Sequence, residues 1–175
     1  GEGIAQMFHM MNEARTSVGL GAAAAGYRGH LLSVDYARGR MQGRVRDADG
    51  TSRPAAIIEH ADIKRMLLAQ KCYAEGALAL VLYGARLLDE QSCGDQAAAE
   101  RAGRLLDLLT PVAKAWPSEY GLAANDLAIQ IHGGYGYTRD YDVEQLYRDN
   151  RLNPIHEGTT GIQALDLLGR KLLRD

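Results

Sequence analysis

The stretch 59–91, EHADIKRMLLAQKCYAEGALALVLYGARLLDEQ, decides the fold class of this chain. Its apolar positions recur at helical spacing and form a broad face, which includes Ile63, Met66, Leu67, Cys72, Tyr73, Ala77, Leu80 and Tyr83. A face this broad is expected of a helix that packs against neighbours on several sides. Ser92 and Gly94 follow it and end the pattern. We therefore predict one long helix over 59–91, covered by other helices.

Helical periodicity also runs through most of the remaining chain. It covers 4–40, 95–116 with a resumption over 120–131, 143–149 and 158–173. We expect Pro117 to interrupt or kink the third of these helices. The polar segment 45–54, VRDADGTSRP, predicts a loop, and strand-like alternation is nearly absent. The sequence thus predicts an all-α fold, an antiparallel four-helix bundle with an extra short helix.

Composition excludes several classes of function. A chain of 175 residues suits one domain, and 20 Lys plus Arg against 22 Asp plus Glu gives a formal charge of -2, which disfavours a nucleic-acid partner. Cys72 and Cys93 lie far apart without clustered His, so we expect neither a metal site nor a disulfide framework. No apolar run is long enough for a membrane span. We expect a soluble, cytoplasmic protein. Because the chain opens on Gly1 without an initiator Met, we also expect it to be a piece of a longer one.

Two features of the last quarter are candidates for chemistry. Gly133, Gly134 and Gly136 directly follow a helix, and they indicate either a helix C-cap, which needs only one glycine, or backbone that a ligand approaches closely. Glu157 precedes the final helix. Its carboxylate could serve the helix N-terminus, or it could act as a base toward a substrate carbon. Local chemistry leaves both pairs of alternatives open.

Arginines and glycines of the first helix form a third candidate feature. Arg15 and Arg40 lie about seven turns apart on it, and solvated surface arginine is the default interpretation of each. The glycines between them, Gly19, Gly21, Gly26 and Gly29, each cost roughly 0.8–1.0 kcal/mol relative to Ala in a helix interior. Close helix packing or the approach of a ligand would offset that cost.

Four ordered motifs together resemble the C-terminal helical domain of the acyl-CoA dehydrogenase family of flavoenzymes. They are MMNEARTSVGLGAAAAGYRGHLLSVDYARGRMQGR at 10–44, HADIKRMLL at 60–68, QIHGGYGYTRDY at 130–141 and IHEGTTGIQALDLLGRK at 155–171. The resemblance covers nearly all of 1–175 and implies two further domains before it, one helical and one β. The segment 45–54 and the long third helix resemble the longer bacterial members, including those that act on a methylthio-substituted propionyl-CoA.

The resemblance implies roles for individual residues. Glu157 matches the base that removes the α-proton of an acyl-CoA while the β-hydrogen leaves as hydride to flavin N5, and its backbone N–H matches a donor to the thioester oxygen. Arg15 and Gly158 match positions near the acyl-CoA. The residues that match FAD contacts fall in two groups: Arg40, Gln130, Ile131, His132, Gly133 and Gly134 toward a neighbouring subunit's flavin, and Thr159, Thr160 and Gly161 within the subunit.

Partners and alternatives follow from the same resemblance. It implies FAD shared between the subunits of a homodimer or homotetramer, an acyl-CoA substrate, and an electron-transfer flavoprotein or similar acceptor. We expect the isolated chain to be inactive and to retain FAD poorly. A non-catalytic helical interaction or oligomerisation module and an acyl-CoA oxidase remain the alternative functions.

Overall fold

The computed structural model describes the backbone of residues 3–173 and the side chains from Glu13 to Leu173. Three long helices form the body of the fold: α1 (Gly3–Gly39), α2 (Ala61–Cys93) and α3 (Gln96–His132), each packed against the other two. The predicted helix over 59–91 is α2, displaced by two residues at each end. The sequence also puts Met7 and Met11 at apolar positions of the first helix, and their side chains, in the stretch 4–12, lie outside the described part.

Shorter helices complete the bundle. After α3, a turn of 3₁₀ helix (Gly133–Tyr137) leads to α4 (Val143–Asn150), and α5 (Thr160–Leu165) continues as a π-helical segment (Asp166–Leu172) that packs on α3. The all-α prediction is confirmed, with α5 and its π-helical continuation as the short fourth member of the bundle. Alanine-rich faces bring the long helices close together, since Ala22, Ala74, Ala77 and Ala124 are fully buried.

The predicted loop over 45–54 is wrong in part, because half of it pairs as a β-hairpin. Strands β1 (Met41–Arg46) and β2 (Ser52–Ala56) are antiparallel, with Arg46 opposite Ser52. Gly50 supplies a φ of 84° in the connecting turn, and the Asp49 carboxylate accepts hydrogen bonds from the backbone N–H and hydroxyl of Thr51. The strands are short, polar and mostly exposed, so they lack the alternating pattern that reveals a strand in a sequence.

Pro117 does not interrupt α3, which runs unbroken past both Pro111 and Pro117. A proline removes the N–H that would bond to the carbonyl four residues earlier. For Pro111 that carbonyl is Asp107 O, and it accepts a hydrogen bond from Lys171 Nζ on the π-helical segment. For Pro117 it is Ala113 O, which lies against Gly19 of α1 so closely that a Cβ at Gly19 would overlap it. The carbonyl freed by Pro111 is thus bonded by Lys171, and the one freed by Pro117 is packed against α1.

The α1 glycines are explained mainly by this packing. A Cβ at Gly26 would lie 3.0 Å from Gly121 Cα of α3, and one at Gly29 would lie 2.5 Å from Asn125 Nδ2. Gly21 is exposed, with nothing within 4 Å of a Cβ. Close helix packing therefore accounts for Gly19, Gly26 and Gly29, while Gly21 has no structural requirement.

Candidate functional site

The predicted site residues fall into two groups near different parts of α3. One group surrounds Glu157 and packs on α3 at Lys114, and the other surrounds Arg40 and meets α3 at its end, His132. Eighteen residues separate Lys114 from His132, which corresponds to about 27 Å along the helix axis. The two groups therefore form separate sites on this chain.

Glu157 lies in a strained turn. Its φ of 53° is the only positive value at a non-glycine among the described residues, and Gly158 follows with 89°. The next helix is capped at Thr159 and begins at Thr160, so Glu157 lies before the cap and outside the first helical turn. Its carboxylate is exposed. This position argues against the simple helix-start interpretation and leaves the carboxylate free to meet a ligand.

Two buried side chains, Lys114 and Gln163, bind the backbone carbonyls of this turn. Lys114 Nζ donates hydrogen bonds to Asn153 O at 2.8 Å and to Gly158 O at 2.6 Å. Gln163 Nε2 donates to Glu157 O at 3.0 Å and to Gly158 O at 3.2 Å. Both ends of the segment 153–158 are thereby fixed to the helices.

The Lys114 ammonium is fully buried, and burial lowers its pKa. The charge of Arg15 lowers that pKa further, while Glu119 and Glu157 act in the opposite direction. Sequence reasoning missed Lys114. The sequence feature that could have pointed to it is a single charged residue in the apolar helical run VAKAW, between two prolines.

Arg15 is buried beneath the same site. Its Nη1 donates to Asp166 Oδ2 at 2.8 Å in an ion pair whose side chains are both less than a tenth exposed. Arg15 Nε has no hydrogen-bond partner within the described part of the chain. The structure therefore places Arg15 as an interior charge next to Lys114, tied to the start of the π-helical segment.

The residues after Gly158 form an open rim. Thr159, Thr160 and Gly161 line a cleft of about 390 Å³ together with Leu122 and Arg151. Thr160 Oγ1 donates to the Glu119 carboxylate at 2.5 Å. Glu157 does not line this cleft itself and lies two residues before Thr159.

The second group shares one cleft. A cavity of about 310 Å³ between the end of α1, the hairpin and the end of α3 is lined by Arg40, Gln130, Ile131, His132 and Gly133. The rest of its lining is Tyr36, Gln42, Gly43, Ile57, His60 and Ile63. The Arg40 guanidinium is exposed and lies over the Tyr135 ring, 5.5 Å from its centroid. The Ile131 side chain is buried in the core with Ala37 and Ile57, so only its backbone is available to a ligand.

His132 is neutral in this cleft. Burial lowers its pKa, and its Nδ1 donates to Ala128 O at 2.8 Å. Since a carbonyl only accepts, Nδ1 carries the proton and Nε2 is a hydrogen-bond acceptor. Tyr36 stacks on the ring at 4.2 Å and Tyr141 meets it edge-on at 5.5 Å, so its orientation is fixed.

The three glycines after α3 have three different explanations. Gly133 ends the helix with a φ of 63°, and a Cβ at Gly136 would lie 2.5 Å from Ile129 O. Gly134 is exposed, with nothing within 4 Å of a Cβ. Folding alone therefore accounts for two of the three, and Gly134 is left as the glycine that a ligand could approach.

Two further observations concern a metal site and a membrane-spanning helix. Among the side chains of residues 13–173 no three His, Cys, Asp or Glu converge in a way that could hold a metal ion. In the same stretch no helix is both long enough and apolar enough to cross a membrane.

Comparison with known proteins decides the family. The family model described as acyl-CoA dehydrogenase, C-terminal domain, matches residues 1–173. The chain belongs to this family. It is 41% identical over 174 residues to 3-methylmercaptopropionyl-CoA dehydrogenase of Ruegeria pomeroyi, covering 99% of this chain and 29% of the relative. It is 40% identical over 177 residues to the broad-specificity linear acyl-CoA dehydrogenase FadE5 of Mycobacterium tuberculosis, with the same coverage of 99% and 29%.

Solved structures of acyl-CoA dehydrogenases have the same fold. Butyryl-CoA dehydrogenase of Megasphaera elsdenii matches with a TM-score of 0.77 at 25% identity, covering 99% of this chain and 39% of that one. An acyl-CoA dehydrogenase of Bacillus anthracis, solved in complex with FAD, matches with 0.80 at 27%, covering 97% and 28%. The family prediction is confirmed. The chain spans less than half the length of the relatives it matches.

Proposed function

We propose that this chain is the C-terminal domain of a longer FAD-dependent acyl-CoA dehydrogenase, in which Glu157 is the base. The observation that carries the proposal is the Glu157 turn. Lys114 and Gln163, both buried, hold the backbone of the turn in which Glu157 has a left-handed conformation, and the Glu157 carboxylate is exposed. The chain that carries this turn belongs to the acyl-CoA dehydrogenase family. Strained residues of this kind cost of order 1–3 kcal/mol and cluster at functional sites.

The chemistry assigned to Glu157 is proton abstraction. The Cα–H bond of the acyl-CoA breaks, the proton moves to the Glu157 carboxylate, and negative charge develops on the thioester oxygen. The backbone N–H of Glu157 is the proposed donor to that oxygen, since preorganised donors stabilise developing charge strongly. Bound FAD would supply the acceptor for the β-hydride. A positioned general base typically contributes roughly 10²–10⁴-fold to the rate.

The Arg40 cleft fits part of a dinucleotide. The exposed guanidinium suits a phosphate because it offers several donors in a fixed plane. The neutral His132 can accept a hydrogen bond from a hydroxyl or amino group, and Gly134 leaves room for close approach to the backbone. We assign Arg40 and the segment 130–134 to a flavin on these grounds.

The separation of the two groups favours a shared cofactor. Thr159, Thr160 and Gly161 accompany the base, whereas the Arg40 cleft lies about 27 Å further along α3. Contacts at both places are most simply made to two different FAD molecules, one of which belongs to a neighbouring copy of the protein. This supports a homodimer or homotetramer as the working assembly.

The remaining assignments belong to the same proposal. Arg15 and Gly158 are proposed on the substrate side, with Arg15 acting from beneath the turn because its ion pair with Asp166 is buried. An acyl-CoA is the substrate, an electron-transfer flavoprotein or similar carrier is the acceptor, and the cytoplasm is the location.

Flavin reduction in the full-length protein tests this function. FAD-loaded protein is mixed without oxygen with butyryl-CoA and 3-methylmercaptopropionyl-CoA, and the loss of oxidised flavin absorbance is followed. We expect at least one thioester to reduce the flavin and to yield the α,β-unsaturated product. Pivaloyl-CoA, which has no α-hydrogen, is the matched control and should leave the flavin oxidised. A fully loaded protein that no saturated acyl-CoA reduces would contradict the proposal.

A further inference from the structure

We infer that Lys114 is a positioning residue for Glu157, a role that rests on the proposed function of Glu157 as the base. Lys114 spans the segment 153–158 by binding the carbonyl oxygen at each end, and its ammonium thereby fixes the turn that carries the carboxylate.

The burial of Lys114 is the first argument. Its side chain has no exposure to solvent, and no carboxylate within the described residues lies within ion-pair distance of Nζ. Removing an ammonium from water carries a large penalty that close opposite charge usually offsets. Here the direct partners are two backbone carbonyls, which a neutral donor could also bind.

Gln163 makes this contrast explicit. It already donates from a neutral amide to Glu157 O and Gly158 O in the same turn. Gln163 holds only the Glu157–Gly158 end of the segment, whereas Lys114 also binds Asn153 O and so joins the two ends. The additional contribution is stronger, charge-assisted hydrogen bonding, together with an electrostatic interaction with the Glu157 carboxylate.

A ladder of buried amides anchors the other end of the turn. Asn153 Nδ2 donates to Asn150 Oδ1 at 2.8 Å, and Asn150 Nδ2 donates to Asn125 Oδ1 at 2.6 Å and to Ala22 O at 3.2 Å. Through these bonds Asn153 is tied to α4, α3 and α1. Lys114 then transmits that fixed position to Gly158, the residue after the base.

The expected consequence of losing the ammonium is a loosened turn in an otherwise intact bundle. Gln163 would still hold Glu157 O and Gly158 O, while Asn153 would keep its ladder. Glu157 would then no longer be confined to its left-handed conformation. Proton abstraction should slow by more than binding of the acyl-CoA weakens, because Lys114 is buried and reaches the proposed substrate side only through Gly158.

The first experiment measures chemistry in the full-length, FAD-loaded protein. Lys114→Met should lower the rate constant of flavin reduction by roughly 100-fold, as small misplacements of a catalytic group do, with a much smaller change in the half-saturation concentration of acyl-CoA. The isotope effect with α-deuterated substrate should increase, because proton abstraction becomes more rate-limiting. Lys71→Met is the matched control. Lys71 is exposed and pairs only with Glu75 on α2, and its replacement should alter neither quantity.

The second experiment measures the turn without reference to activity. In Lys114→Met, amide hydrogen exchange over 152–158 should accelerate while the long helices stay protected. Unchanged exchange there, or flavin reduction at the wild-type rate and isotope effect, would overturn the role of Lys114. A wild-type protein that no acyl-CoA reduces would instead overturn the proposed function, and the exchange result would still decide whether Lys114 holds the turn.

A milder variant covers the case in which Lys114→Met does not fold. Lys114→Gln keeps a donor but removes the charge and shortens the side chain, so we expect a folded protein with slowed flavin reduction and a raised isotope effect. Wild-type reduction in Lys114→Gln would refute the need for the buried cation.

Discussion

Replacing Glu157 with glycine should stabilise the fold while abolishing proton abstraction. A residue with a Cβ in the left-handed region costs roughly 1–2 kcal/mol, and Glu157 has a φ of 53°. Glycine avoids this cost but loses about 0.5–1 kcal/mol more conformational entropy on folding. No buried contact is lost, because the carboxylate is exposed. The net expectation is a gain of about 0.5–1 kcal/mol, or roughly 1–4 °C in melting temperature for a chain of this size.

Thermal unfolding of the 175-residue chain, followed by circular dichroism, measures this gain. Glu157→Gln is the matched control, because it keeps the Cβ and the strain while both variants lose the interaction of the carboxylate with Lys114, so the difference between them isolates the strain. The reasoning is refuted if Glu157→Gly melts no higher than Glu157→Gln. A confirmed gain would identify the Glu157 turn as a place where stability has been exchanged for function, as is common at active sites.

Three further predictions address the second cleft, the helix packing and the effect of pH. Arg40→Ala should lower the FAD content of the purified full-length protein, measured by absorbance, whereas Arg38→Ala outside the cleft should not. Gly19→Ala should destabilise the chain by roughly 1–3 kcal/mol because its Cβ overlaps the α3 backbone. Gly21→Ala, in open space, should stabilise it by roughly 1 kcal/mol; urea unfolding measures both. The free energy of unfolding should fall as pH drops below about 6.5, because burial lowers the pKa of His132 in the folded chain and the unfolded chain then binds more protons. His132→Gln should reduce the dependence of that free energy on pH.

Each of these three predictions would be contradicted by a specific result. Equal FAD content in the two arginine variants would remove Arg40 from the cofactor site. Equal effects of the two glycine substitutions would contradict the close contact between α1 and α3. An unchanged pH slope in His132→Gln would show that His132 does not stay neutral while the fold is intact.

Periodic hydrophobicity predicted the long helices because each buries a continuous face. The helix expected over 59–91 is α2 to within two residues at each end. The hairpin escaped prediction because β1 and β2 bury almost nothing, so no apolar alternation marks them. Pro117 was misjudged for a different reason. The carbonyl that Pro117 frees lies against Gly19, which is far away in the sequence, so its surroundings could not be predicted.

The sequence motifs nominated the candidate site residues, whose roles stay predictions, but they gave no indication of the contacts that support Glu157. The motifs placed Arg40 and 130–133 together, and the structure brings them into one cleft. Lys114 lies 39 residues before Asn153 and 44 before Gly158, and nothing local in the sequence indicates that they meet. Likewise, the left-handed conformation of Glu157 results from those distant contacts, so its strain could only be found in three dimensions.

Glu157→Gln in the full-length protein is the direct test of whether Glu157 removes the α-proton. The amide keeps the size and position of the side chain but cannot accept the proton. We predict that the variant retains FAD and binds acyl-CoA, and that its anaerobic rate of flavin reduction falls by roughly 10²–10⁴-fold or more. Flavin reduction at the wild-type rate in a fully FAD-loaded Glu157→Gln protein would contradict the account.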